Sequence, residues 1–316
     1  MKFVSALFLF IAHTLPLHAA IHGENNIWAA PDKLNCLPWH MDNNTGHCTQ
    51  TIDNQLKNLI QRTGMTQAGG SQGTAFLVGK DCQWIISTAH TINHLNGKQR
   101  ARNKTVFHRN VYENNQKIDA NNRPAIHLIN DDRAPITDLT DRQLTKLAHS
   151  AKDDILSDCS TTPTLTEKQL HNNLHQIDRC LIMSFNQDLG NRNASQRNSM
   201  TFRTHQGLKQ VKAQTRGITS CRIQGFAYDG MIETDCDSVY ASSGSPFFCQ
   251  MTGGEWKLTG TLVADTCHGY DNYDHCLNPA KNGQGDHETL MLPINQAFHS
   301  QLTSLKKSPP SSPKPD

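Results

Sequence analysis

The stretch GTAFLVGKDCQWIISTAHT, residues 73–91, contains two short runs of apolar, aromatic and β-branched residues, with the turn-forming sequence GKD between them. Runs of this length that are bounded by Gly, Asn or Asp are typical of β-strands. We therefore predict strands over residues 74–78 and 83–87. The second strand leads almost directly into His90.

The same pattern recurs along the chain and predicts a mostly β protein with antiparallel strands. Further strands are predicted over residues 200–204, 225–228 and 256–263. Helical spacing of apolar residues is confined to residues 52–60, 139–147, 166–177 and 294–305. The last of these segments predicts a C-terminal helix. The proline-rich tail, residues 306–316, lacks the apolar residues of a core and is expected to be disordered.

The N-terminus has the features of a secretory signal peptide over residues 1–19. Lys2 precedes an apolar run at residues 3–12, and the segment ends with small residues at Ala19. The run is far shorter than the ~20 residues with which a helix crosses a bilayer, so we expect no membrane anchor. The mature chain is predicted to be secreted or periplasmic.

Ten cysteines follow the signal peptide, and an even number in an exported chain predicts a disulfide framework. Cys221 and Cys236 flank a predicted hairpin and are one candidate pair. Cys249 and Cys267 lie on adjacent strand-like segments and are another. No cysteine pair has the spacing of a zinc site with matching histidines, and we expect neither a metal nor a cofactor.

Length and charge set the broad class of the protein. The formal net charge of +2 favours neither nucleic acid nor an anionic membrane as a partner. The mature part, about 300 residues, is long enough for one large domain or two smaller subdomains. Residues 20–65, with Cys36 and Cys48, are either a removed prosegment or an arm packed on the rest. The sequence does not indicate the oligomeric state.

The stretch ETDCDSVYASSGSPFF, residues 233–248, holds four serines. A cluster of Ser, Gly and Pro is by itself typical of a turn. A serine becomes a nucleophile only when a base takes its proton and a carboxylate orients that base. His90 directly after a strand, and Asp154 directly before the apolar pair at residues 155–156, are candidates for these two roles.

The motifs STAH (87–90), DIL (154–156) and SSGSP (242–246), in the order His, Asp, Ser, resemble the trypsin superfamily of serine proteases. The flanking strands GTAFLV (73–78) and LTGTLV (258–263) are similar as well, so the resemblance spans residues 73–298. SGSP preceded by Cys-Asp is closest to secreted bacterial members, including the glutamyl endopeptidase-like branch.

The resemblance implies a chymotrypsin-like, all-β fold of two antiparallel six-stranded β-barrels with the active site between them and a C-terminal helix. We expect a peptidase domain over residues 66–300. Its first barrel is expected at about 66–160, its second at about 178–293 and its helix at about 294–305.

Carried over by motif, the resemblance implies that His90 is the general base, Asp154 the orienting carboxylate and Ser243 the nucleophile. The backbone N–H groups of Ala241 and Ser243 would form the oxyanion hole. Asp153 is the alternative to Asp154, because a shift of one residue exchanges them.

His94 and His149 are alternatives to His90. A histidine in a chain with 17 of them is individually more often a surface residue.

Two positions depart from the family pattern. Ala241 stands where most members have glycine, and a positive φ at a residue with a Cβ would strain the backbone. Ser242 stands where trypsin has the Asp that pairs with a newly freed N-terminus, so activation by that ion pair is not expected. The long polar interval over residues 96–141 is expected to form surface loops.

Candidate substrate-binding residues are Asp237, Val263 and Asp265. Asp237 lies six residues before Ser243, where trypsin-like members hold a carboxylate that binds a basic side chain. Alternatively, it belongs to a supporting Cys-Asp turn. The strand at residues 262–265 lacks the histidine that helps glutamate-specific members, although His268 leaves glutamate specificity open.

The sequence therefore predicts a secreted serine endopeptidase whose partner is a protein or peptide substrate. The alternative is a catalytically silent protein of the same fold that binds a protein or a glycan. Silent relatives usually lose a triad residue. The motifs here retain all three, and Ala241 is the position at which activity could be impaired.

Overall fold

The computed structural model describes residues 27–29, 36–42, 45, 47–98, 100, 105–109, 112–113, 116–117, 125–129, 136–153, 156, 158–185, 199–204, 207–212, 214–227, 229–238, 241–267 and 287–305. The predicted signal peptide and the proline-rich tail lie outside these residues. No helix in these ranges is long and apolar enough to cross a membrane.

The described chain is mostly β, as predicted. Its strands are β1 (Trp28–Ala29), β2 (Thr63–Ala68), β3 (Ser71–Val78), β4 (Trp84–Thr88), β5 (Val106–His108), β6 (Tyr112–Glu113), β7 (Gln116–Lys117), β8 (Ile126–Ile129), β9 (Arg142–Leu147), β10 (Ile177–Phe185), β11 (Ser199–Thr204), β12 (Gly207–Lys212), β13 (Arg216–Cys221), β14 (Ile223–Phe226), β15 (Ile232–Thr234), β16 (Pro246–Met251), β17 (Trp256–Cys267) and β18 (His287–Pro293). Its α-helices are α1 (Asn54–Gln61), α2 (Ala89–Ile92), α3 (Glu167–Asn173) and α4 (Gln296–Ser304).

Six strands form a closed antiparallel barrel in the order β2-β3-β4-β9-β8-β5, which the pairing of β5 with β2 closes. Ala75, Leu77 and Ile85 point into this barrel, whereas Phe76 and Ile86 pack on the opposite face against the rest of the protein. β3 and β4 are thus apolar on both faces, which explains their nearly continuous hydrophobic runs.

The helix predicted over residues 139–147 is wrong. Residues 142–147 form β9, which pairs with β4 on one side and β8 on the other. The spacing of Leu139, Leu144 and Leu147 fits a helix, but the ladder bonds of two neighbouring strands outweigh that local preference. The change moves Asp141 from a predicted helix to the entrance of a barrel strand.

The other large sheet has ten strands in the order β12-β11-β1-β13-β10-β16-β17-β18-β15-β14. Only Arg222 separates β13 from β14 in the chain, so the sheet curves until these two strands meet. No ladder closes it among the described residues. The expected second closed barrel is therefore not seen. The sheet forms a half-barrel.

The segment before the barrel packs into the structure from Ile27 onward. β1 lies between β11 and β13, and the fully buried Ile27 accepts a hydrogen bond from the N–H of Arg203 at 2.7 Å. In α1, Leu56, Leu59 and Ile60 enter the apolar cluster that joins the barrel to the ten-stranded sheet. These described parts of residues 20–65 therefore pack on the rest of the chain.

The predicted C-terminal helix is present as α4. Asn295 caps its first turn by accepting from the N–H of Phe298 at 2.8 Å. Phe298 and Leu302 lie in the same joining cluster as α1. The helix therefore fixes the chain end against the junction of the two sheets.

Four disulfides occur among the described residues: Cys36–Cys48, Cys82–Cys159, Cys180–Cys249 and Cys221–Cys236. The candidate bridge Cys221–Cys236 is present. The candidate Cys249–Cys267 is wrong, because Cys249 pairs with Cys180. These two residues stand directly opposite each other in the ladder of β10 and β16, with their Cα atoms 4.1 Å apart.

Candidate active site

His90 lies in the single turn of α2, immediately after the barrel strand β4. Its N–H donates to Asp141 Oδ1 at 2.8 Å, and the N–H of Ala89 donates to the carbonyl of Asp141 at 3.0 Å. At the other end of the turn, Arg100 Nε donates to the carbonyl of His90 at 3.0 Å. The backbone of this histidine is thus held on both sides.

Asp141 is the carboxylate that pairs with the His90 ring, through Oδ2 and His90 Nδ1. The sheet explains the pairing: β4 and β9 are neighbours, and Thr88 stands opposite Arg142, so the residues just beyond them face each other. His90 is 6% exposed and Asp141 4%. A buried carboxylate on Nδ1 fixes the imidazole tautomer with Nε2 free to accept a proton.

This carboxylate differs from the sequence prediction. Asp154 lies outside the described residues, and the alternative Asp153 forms an ion pair with Arg109 and accepts from the N–H of Leu156 at 2.8 Å. Asp153 is therefore engaged elsewhere. Asp141 is not a candidate from the sequence because the polar pair Arg142-Gln143 follows it, where the motif of the trypsin superfamily has apolar residues.

The ring nitrogen opposite Asp141 is available. His90 Nε2 is buried and has no hydrogen-bond partner among the residues that the structure describes. The alternatives His94 and His149 are both exposed. Of these three histidines, His90 has the environment of a general base.

Ser243 lies in a tight turn before β16 that presses against the barrel. The next residue, Gly244, has φ +89°, and a Cβ there would lie 2.1 Å from the carbonyl oxygen of Thr74 and 3.0 Å from the backbone nitrogen of Thr88. Only glycine allows so close an approach. The serine is thereby placed next to the end of β4, two residues before His90.

A second close contact brings the two segments together. A Cβ on Gly73 would lie 2.5 Å from the Thr91 side chain and 2.9 Å from the Ser243 carbonyl oxygen. Thr91 directly follows His90 in the chain. The histidine and serine segments therefore meet over one glycine of β3, at the junction of the barrel and the ten-stranded sheet.

Ala241 has φ +71°, in the left-handed region. This is the conformation that favours glycine, and an alanine adopts it only at a cost in backbone energy. Ala241 is 4% exposed, as is Ser243. The turn that would form the oxyanion hole is thus retained in spite of the alanine.

The structure describes the candidate substrate-binding residues to different extents. Asp237 and Val263 are buried, 1% and 2% exposed, and Val263 packs with Met231, Leu290 and Leu292. Asp265 belongs to β17, where its backbone pairs with Thr289, but its side chain is outside the described residues, as is His268. These positions do not define a specificity.

No three His, Cys, Asp or Glu side chains within the described ranges are grouped as a metal site requires. Comparison of the chain with models of known protein families gives no match, and neither does comparison with curated protein sequences.

Proposed function

We propose that this protein is a secreted serine endopeptidase that acts through Ser243, His90 and Asp141. The observation that carries the proposal is the buried His90 ring, bonded to Asp141 through Nδ1, with Nε2 lacking a partner among the described residues. A buried nitrogen without a partner costs free energy, and a catalytic role is one explanation for such a group.

The fold supports this proposal. The closed barrel carries His90 and Asp141, the curved ten-stranded sheet carries Ser243, and the site lies at their junction. The proposal includes a chymotrypsin-like architecture in which the curved sheet stands in the place of the second barrel. The four disulfides support an oxidising compartment, in line with a secreted or periplasmic protein.

In the proposed mechanism, the Ser243 hydroxyl oxygen attacks the carbonyl carbon of a peptide bond while His90 Nε2 takes the hydroxyl proton. The N–H groups of Ala241 and Ser243 stabilise the negative oxygen of the tetrahedral intermediate. His90 then gives the proton to the leaving amine, and an acyl-enzyme remains on Ser243. Asp141 stays ionised throughout and stabilises the imidazolium.

The second half of the reaction reverses these roles. Water enters after the amine has left, and His90 Nε2 takes one of its protons as the water oxygen attacks the acyl carbon. Collapse of this intermediate returns the proton from His90 to the Ser243 oxygen and releases the carboxylic acid. Apart from the substrate and this water, every group in the scheme is one that the chain supplies.

The test is hydrolysis of a denatured protein substrate and of a peptide library by the purified mature chain, with Ser243→Ala as the matched control. We expect fragments from the wild-type protein and none from Ser243→Ala, and the cleaved library peptides give the side-chain preference. Equal fragments from both proteins would mean a contaminating protease. A folded wild-type protein that cuts nothing would support the silent binding protein instead.

A further inference from the structure

Thr74 links the barrel to the turn at residues 241–245 by two hydrogen bonds and to β10 by a third. It lies on β3 and is completely buried. Its N–H donates to the carbonyl of Ser243 at 2.7 Å, and its hydroxyl donates to the carbonyl of Ala241 at 3.0 Å. The N–H of Phe185, on β10, donates to the same hydroxyl oxygen at 2.8 Å.

The direction of the hydroxyl proton follows from these partners. A backbone N–H can only donate, so the Phe185 amide occupies an acceptor site on the Thr74 oxygen. The hydroxyl proton is then free to be directed at the Ala241 carbonyl, which can only accept. The bond from Phe185 therefore directs the Thr74 hydroxyl proton toward the turn.

Both ends of the turn are held by this one residue. The bond to the Ala241 carbonyl fixes the peptide plane between Ala241 and Ser242, and the bond to the Ser243 carbonyl fixes the plane that follows the nucleophile. Ala241 directly precedes the first of these planes and has φ +71°, a conformation that alanine does not favour by itself. Glycine would adopt it without such support.

We propose that Thr74 is a positioning residue whose hydroxyl holds Ala241 in the left-handed conformation, so that the turn presents its N–H groups to the reacting oxygen. This role rests on the proposed serine protease function for its catalytic consequence. The geometric part, that the hydroxyl restrains residues 241–243, stands independently of any activity.

The test compares Thr74→Val, which keeps the shape but lacks the hydroxyl, with Thr74→Ser, which keeps the hydroxyl. With a peptide ester substrate, Thr74→Val is expected to lower kcat about 10- to 100-fold, less than full loss of an oxyanion donor, with KM changed less than about threefold. Thr74→Ser is expected to stay within about threefold of wild type in both constants.

The same substitution is also made in a protein that carries Ala241→Gly. In Ala241→Gly the turn no longer depends on outside support, so we expect Thr74→Val to cost less than about fivefold there. An equal loss in both backgrounds would overturn the proposal, as would equal losses for Thr74→Val and Thr74→Ser. If Thr74→Val does not fold, Thr74→Cys replaces it, because its weaker hydrogen bonds predict an intermediate loss.

Hydrogen exchange separates this proposal from the proposed function. Amides of residues 242–245 are expected to exchange at least about tenfold faster in Thr74→Val than in Thr74→Ser, whether or not the protein is active. Unchanged exchange would overturn the restraint by Thr74. Faster exchange in Thr74→Val, together with a wild-type protein that hydrolyses nothing, would uphold the restraint and reject the protease.

Discussion

The six-stranded barrel and the ten-stranded sheet hold their parts of the candidate site in different ways. In the barrel, His90 and Asp141 are brought together by the register of two adjacent strands, β4 and β9. In the sheet, Ser243 lies in a turn with two left-handed residues, Ala241 and Gly244, which is held from outside by bonds to β3. The proposed base is positioned by its own ladder, whereas the proposed nucleophile depends on bonds to the neighbouring barrel.

Mutations in the two regions should therefore have different effects. Substitutions of His90 or Asp141 in the barrel should change the reaction rate rather than the stability, because the strand ladder persists when one side chain changes. Substitutions at the junction should act on stability and geometry together, because the bonds that hold the nucleophile also join the two halves.

Asp141→Asn should lower the rate of Ser243 acylation by about 10⁴-fold, the loss typical when the carboxylate of a triad becomes an amide and the histidine tautomer is no longer fixed. Its thermal unfolding should change little, because the β4–β9 ladder remains. The matched control is Asp154→Asn, at the position that the sequence favoured, which should acylate at nearly the wild-type rate. If Asp154→Asn alone lost its acylation rate, Asp154 and not Asp141 would be the carboxylate of the triad.

Ile27→Ala tests whether the N-terminal arm belongs to the ten-stranded sheet. Ile27 is fully buried, so its truncation should lower the free energy of unfolding by about 3 kcal/mol. Ile129→Ala, on a barrel strand and 53% exposed, should cost less than about 1 kcal/mol. Denaturant titration measures both. If proteolytic removal of the arm instead raised activity, residues 20–65 would be a prosegment.

Arg142→Met tests the bonds that join the two halves. Arg142 extends from β9 to donate to the carbonyls of Leu292 and Pro293, at 3.0 and 2.7 Å, and lies over the ring of Phe298. Burial lowers its pKa to about 9, so it remains charged at neutral pH.

Losing these bonds leaves buried carbonyls unpaired, and Arg142→Met should lower the free energy of unfolding by about 2–3 kcal/mol. It should also reduce acylation by about tenfold, a result of moving Asp141 relative to Ser243. Arg142→Lys, which can serve one carbonyl at a time, should be intermediate in both measurements. A loss of stability without a loss of acylation rate would show that the Arg142 bonds join the two halves without positioning the candidate site.

Asp153→Asn should lower the free energy of unfolding by about 2 kcal/mol and leave acylation unchanged. It weakens the ion pair with Arg109, whose side chain is buried, while that of Asp153 is 22% exposed and screened in part by water. Lys152→Ala, next in the chain, removes only the exposed pair with Asp81 and should cost less than about 0.5 kcal/mol. A large rate loss in Asp153→Asn would contradict its structural role.

The strands with nearly continuous apolar runs were predictable, because burial on both faces leaves a strong signal in β3 and β4. The C-terminal helix and the positions of His90 and Ser243 could be predicted as well. The Asp141 position could not, because the buried Arg142 after it looks like a surface residue until its carbonyl partners in β18 are known.

The Cys180–Cys249 bridge could not be predicted for a related reason. It joins residues 69 positions apart that become neighbours only through the order of strands in the sheet. For Ala241, the resemblance raises a positive φ only as a condition under which the alanine would be strained. The support that it receives from Thr74 depends on contacts between subdomains, which a single sequence does not record.

The most direct test of the central claim is to treat the purified mature protein with a fluorophosphonate and locate the adduct by peptide mass spectrometry. The triad of Ser243, His90 and Asp141 predicts a single adduct on Ser243, absent in Ser243→Ala and strongly slowed in His90→Ala and Asp141→Asn. A folded wild-type protein that remains unlabelled before and after limited proteolysis, or an adduct that forms equally fast without His90, would contradict it.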